Sequence, residues 1–167
     1  MALSNDPKAP SISNISMTDT AVHPLVRMAA ILNDLEQWHL GRNRPEAALE
    51  AFVTKLENLH IHFDEDADRK AIISSLEQRL GSLTDKPWRA RGVAQLARFI
   101  EQQSDPENLI RARDLAIGCS KKYPGTIGGD QCLSIYKGIE SPSYEIEGMG
   151  IDAPQKRSLG IKYKNLT

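Results

Sequence analysis

The most chemically suggestive stretch of this chain is Lys121-Lys122-Tyr123-Pro124-Gly125-Thr126-Ile127-Gly128-Gly129. Backbone amides at consecutive glycines can cradle a phosphate, and lysines supply the opposing charge. A phosphate-binding P-loop, however, runs from glycine loop to Lys and Ser/Thr and then into a helix. Here the lysines come first, at a helix end, where the dipole repels anions. Gly125-Thr126-Ile127-Gly128 also has the spacing of the two-glycine loop of KH modules. Five helices and a Pro ahead of it do not fit that context. The stretch therefore reads as helix termination, with lysines complementing the negative end.

Two clusters have metal-ligand chemistry. Asp64-Glu65-Asp66-Ala67-Asp68 opens like a calcium loop, but that loop needs Gly at its sixth position and Glu at its twelfth. Those positions hold Arg69 and Ser75. The cluster reads instead as an acidic helix start. His60 and His62 would share a side on a strand and could share zinc with an Asp. On a helix they lie about 200° apart and cannot share an ion. No further ligands fall at regular spacing, so neither a metal nor a cofactor is expected.

Nucleophilic catalysis has little to work with. GxSxG, HExxH, Walker A and paired CxxC patterns do not occur. Cys119 or Cys132 with His39 or His60 would make a thiol–base pair, but nothing local to either cysteine marks it as reactive. No catalytic residue is assigned, and the chain is expected not to be an enzyme. The two cysteines could pair as a disulfide, but the missing export signal favours free thiols in a reducing compartment.

Two sets of residues suit binding. Arg91, Gln95, Arg98 and Gln102 recur at helical spacing opposite an apolar stripe, an arrangement that can contact nucleic-acid phosphates. Acids at Glu101, Asp105, Glu107 and Asp114 sit among them, which also fits a solvated face. Tyr136, Tyr144, Ile146 and Tyr163 are candidates for a protein partner, because Tyr gives amphipathic contact at low entropy cost. The alternative is packing on the chain's own helices.

The elements that must carry these residues are mainly helical. Helix one begins near Pro24, with Asp19 or Thr20 as cap, and ends at Gly41. Its broad face is Leu25, Met28, Ala29, Ile31, Leu32, Leu35 and Trp38. Helix two is capped by Asn43, with Pro45 in its first turn. Helix three starts in the acidic cluster. Helix four is capped by Thr84 or Asp85, with Pro87 in its first turn. Helix five is capped by Ser104 or Asp105 and ends at Pro124-Gly125. Short connections make successive helices neighbours, as an antiparallel bundle of about five helices or a short helical-hairpin array.

Composition changes near residue 123. All four tyrosines lie from Tyr123 onward, and every Trp and Phe lies before it. LSIYKGI, SYEIEGMGI and SLGIKYK read as three short strands or as an extended arm, weakened by internal glycines. The division expected is a flexible arm over 1–20, a helical domain over 21–123 and an extended or short-β extension over 124–167. Removing 124–167 is expected to leave a folded helical protein that has lost its partner.

Length and charge narrow the classes. The chain has 167 residues and a net charge of −1, with 40% hydrophobic and 26% charged residues. That composition suits a globular fold and lacks the basic bias of a general nucleic-acid or anionic-membrane binder. No apolar run is long enough for a bilayer span, and Leu3, Ile12, Ile15 and Met17 are too interrupted for a secretory signal. The reading is a cytoplasmic, non-enzymatic protein–protein interaction module: an adaptor, assembly factor or small subunit, self-association included. The alternatives are nucleic-acid association through helix four, or a bacterial effector exported through its polar start.

Overall fold

A computed structural model describes residues 20–83, 85–103, 105–153 and 156–165. The protein is mainly helical, with a small two-stranded sheet. The helices are α1 (Pro24–Leu40), α2 (Pro45–His62), α3 (Asp66–Ser82), α4 (Arg89–Glu101), α5 (Pro106–Lys122) and α6 (Ile127–Glu140). The strands are β1 (Ser143–Ala153) and β2 (Lys156–Lys164). The arm expected over 1–20 lies outside the described residues but for its last position, as do the cap candidates Asp19, Thr84 and Ser104.

Proline placement sets three of the helix starts. Pro24, Pro45 and Pro106 each stand at the beginning of a helix, where a missing N–H costs nothing. The first cap is His23, whose Nδ1 accepts from the Leu25 amide at 3.2 Å. Before α2 the cap position is Arg44, and Asn43 instead takes a left-handed turn conformation (φ 54°), which Asn tolerates. Asp105 caps α5 by accepting from Glu107 N at 3.0 Å. Helix α4 begins at Arg89, after a tight turn through Pro87 and Trp88.

The sixth helix is the main departure from the sequence reading. Residues 127–140, expected as part of an extended segment and including LSIYKGI, are helical. Thr126 starts the helix: its Oγ1 accepts from Gly129 N at 3.0 Å and donates to Tyr123 O at 2.8 Å. Cys132, Ile135 and Ile139 recur at steps of three and four and are buried. The helical part of the chain therefore runs to Glu140 rather than to 123, and two strands form rather than three.

Helix α4 is the hub. It packs against α2, α3, α5 and α6. Its alanines Ala90, Ala94 and Ala97 are fully buried and let neighbouring backbones come close. Consecutive helices pack in turn; α2, α4 and α6 form a row, while α1, α3 and α5 do not pack on one another. Leu49, Val53, Leu56, Ile72, Leu76 and Ile100 fill the spaces between. Among the described residues helix α1 packs along α2 alone. It is also held by Glu36, a buried carboxylate that pairs with Arg79 of α3 at 2.9 Å and Lys55 of α2 at 3.4 Å. A carboxylate can stand buried there because two cations replace its hydration.

Cys119 and Cys132 are joined as a buried disulfide between α5 and α6, with Cα atoms 6.0 Å apart. This replaces the expected free thiols. The reason is geometric: α6 folds back on α5 and brings two sulfurs thirteen residues apart into contact.

Candidate functional site

The glycine stretch 125–129 serves helix packing. A Cβ on Gly128 would lie 2.3 Å from the Arg91 amide nitrogen and 2.4 Å from the Ala90 carbonyl carbon. One on Gly129 would lie 2.0 Å from the Tyr123 carbonyl oxygen. The glycines let the first turn of α6 rest on the backbone of α4, and this close approach leaves the first turn no room as an anion cradle. Lys122 is directed elsewhere, to the Asp85 carboxylate at 2.7 Å, and the Tyr123 hydroxyl donates to the same carboxylate. These bonds, from Lys122 first and Tyr123 second, hold the Asp85 carboxyl below its usual range.

His60 and His62 both lie on α2, His60 buried and His62 exposed, so they do not converge. Among the described residues no three His, Cys, Asp or Glu side chains gather as a metal site. His60 instead stacks on Phe99, with ring centroids 4.5 Å apart and planes 17° from parallel. Burial, and then the charge of Arg69, push its pKa down. The folded state therefore resists a proton that the unfolded chain accepts near pH 6.5. Stability should be level above about pH 7 and fall as the pH drops below about 6.5 towards the folded pKa. Urea midpoints compared between about pH 7.5 and 5.5 should show a smaller acid loss in His60→Phe than in the wild type.

The Arg/Gln set is divided by the packing of α4. Arg91 faces α2, pairing with Glu57 at 2.9 Å and Glu50 at 3.6 Å, and donates to Gln95 at 3.3 Å. Gln95 is buried, Arg98 is half-buried and Gln102 is exposed. These four do not form one open cationic face, because α4 is covered by neighbours on most sides.

Of the partner candidates, Tyr136 stands apart. It lies half-buried on α6, and its hydroxyl bonds Glu140, whose carboxylate raises the phenol pKa while Arg113 opposes it. The other three meet on the hairpin. Tyr144 is the register partner of Tyr163, and Ile146 of Ile161. Residues two apart on a strand share a side, so the two pairs form one apolar ladder. The exposures are 70% and 69% for the tyrosines and 58% and 56% for the isoleucines. Glu145 and Lys162, also paired in register, occupy the opposite side. Among the described residues neither strand packs along a helix. The hairpin is tethered at its base, where Lys164 Nζ donates to Gly138 O at 2.9 Å and Asn165 Nδ2 to Ile139 O at 2.8 Å. Ile161 belongs to the ladder but was not singled out from the sequence, since only the strand register identifies it.

Two further surfaces are partly apolar. Ile31, Leu35 and Trp38 form an exposed stripe on α1, with the Arg42 guanidinium 3.9 Å from the Trp38 ring centre. Among the described residues, part of the broad α1 face is thus uncovered, because α2 alone packs along it. A groove of about 800 Å³ lies over α4 between α3 and α5, with Leu80, Val93, Leu96 and Leu115 in its lining. Arg111 of α5 spans it to Glu77 of α3. Among the described residues no helix is long and apolar enough to cross a membrane. No protein-family model, curated protein or solved structure matches the chain.

Proposed function

We propose that this chain is a non-enzymatic protein–protein interaction module that presents a docking hairpin from a helical platform. The observation that carries this reading is the hairpin with its exposed Tyr–Tyr and Ile–Ile ladder. Large apolar side chains stand together in solvent there without contributing to the helical core, and such patches are a mark of binding surfaces. The row α2–α4–α6, flanked by α1, α3 and α5, supports the array form of the platform over a closed bundle. Tagged full-length chain recovered from its native source, with and without nuclease, should retain a stoichiometric protein. Tyr144→Ser with Tyr163→Ser should reduce that recovery at least about tenfold at unchanged helicity. Recovery that depends on nucleic acid, or that ignores the tyrosines, would count against the reading.

A second reading, export from the cytosol, is favoured by one observation. The Cys119–Cys132 pairing is of a kind that persists in oxidising compartments and is rare in reducing ones. Chain isolated under acid quench should resist thiol alkylation until it is reduced. Alkylation of both cysteines without reduction would restore the cytoplasmic reading.

A further inference from the structure

We infer that the hairpin's apolar face is occupied by the same face of a second copy of this chain, in a two-fold dimer. The inference rests on the interaction-module reading and names the partner of that surface.

Two observations support a second copy. The ladder is composed of like pairs, Tyr144 with Tyr163 and Ile146 with Ile161, so a two-fold axis can match it to itself. Its size is also sufficient. Four large side chains more than half exposed offer about 500 Å² per copy, on a scale of 150–250 Å² for an aromatic side chain. Two copies bury about 1,000 Å², where specific interfaces begin.

Beyond Ile146 the pairing becomes irregular, with a register shift between Glu147 and Gly150, so the regular part of the face is these two pairs.

Charge favours the face over the strand edges. The β1 segment contains Glu145, Glu147 and Asp152 and no base, while β2 contains Lys156, Arg157, Lys162 and Lys164 and no acid. Two-fold pairing of like edges would set acid beside acid or base beside base. Stacking the apolar faces leaves Glu145 and Lys162 on the outer surface.

Sedimentation of the full-length chain between about 1 and 100 µM tests this. The expected result is a reversible monomer–dimer equilibrium near 10 µM, roughly what a minimal interface gives. Tyr144→Ser with Tyr163→Ser should weaken it about hundredfold. Ile146→Thr with Ile161→Thr should weaken it about tenfold while leaving the monomer's helicity and melting intact, because both side chains are exposed and threonine suits a strand. A chain monomeric at about 100 µM, or a dimer indifferent to both variants, would overturn the inference. A monomer whose tyrosine variants still lose a different protein overturns self-association and leaves the interaction module standing.

Discussion

Gly128→Val should cost about 3 kcal/mol or more and lower the melting temperature by about 10 °C. The added side chain would enter the backbone of α4, with its first carbon 2.3 Å from Arg91 N and 2.4 Å from Ala90 C. A flexible side chain could swing aside, but a helix backbone can yield only by moving the whole of α6. That movement would separate Cys132, Ile135 and Ile139 from the core they share with α4 and α5. Gly138, in the same helix, is the control. A Cβ there meets nothing within 4 Å. Gly138→Ala should therefore stabilise the protein by about 0.5–1 kcal/mol through helix propensity. Thermal melts of the two variants by circular dichroism should move in opposite directions.

Truncation should divide the chain sharply between residues 123 and 141. A chain ending at 141 should keep a cooperative helical melt, because among the described residues neither strand packs along a helix. Its cost is the loss of the bonds from Lys164 and Asn165 to the last turn of α6, about 1 kcal/mol each. A chain ending at 123 removes three buried side chains of α6, Cys132, Ile135 and Ile139. At about 2 kcal/mol each that is roughly 6 kcal/mol, comparable with the whole stability of a small domain. It also removes the disulfide. Far-UV circular dichroism and a urea titration should show the shorter chain without a cooperative transition. This reverses the expectation drawn from sequence, in which the cut at 123 left a folded protein. If both truncations melt alike, α6 does not belong to the core.

Helices α1, α2, α3 and α5 were legible because each start has a chemical marker. Pro24, Pro45 and Pro106 stand at first positions, Asp105 caps, and Asp66 and Asp68 sit in the first turn of α3. Helix α6 was concealed by its composition. Its glycines, tyrosine and isoleucines suggest strand, although the buried steps from Cys132 to Ile135 to Ile139 are helical and Thr126 is a good cap. The glycines made sense only against the backbone of a helix nearly forty residues earlier in the chain, which no local pattern reveals. The Arg91–Gln95 stripe shows a related limit. Periodicity places both on one side of α4 but does not reveal that the acids of α2 lie opposite. For the hairpin, three of the four ladder residues were marked by type, and the fourth followed only from the pairing of Ile146 with Ile161.

The central place of α4 also bears on how the chain is made. Synthesis proceeds from the N-terminus, and domains fold as their residues emerge. Helix α4 leaves the ribosome with α2 and α3 already available on one side. Its other side waits for α5 and then for α6, whose last core residue is Ile139. The backbone at Ala90 and Arg91 is the last part of α4 to be covered, by the first turn of α6. The surroundings of this short helix are therefore complete only once α6 has been made.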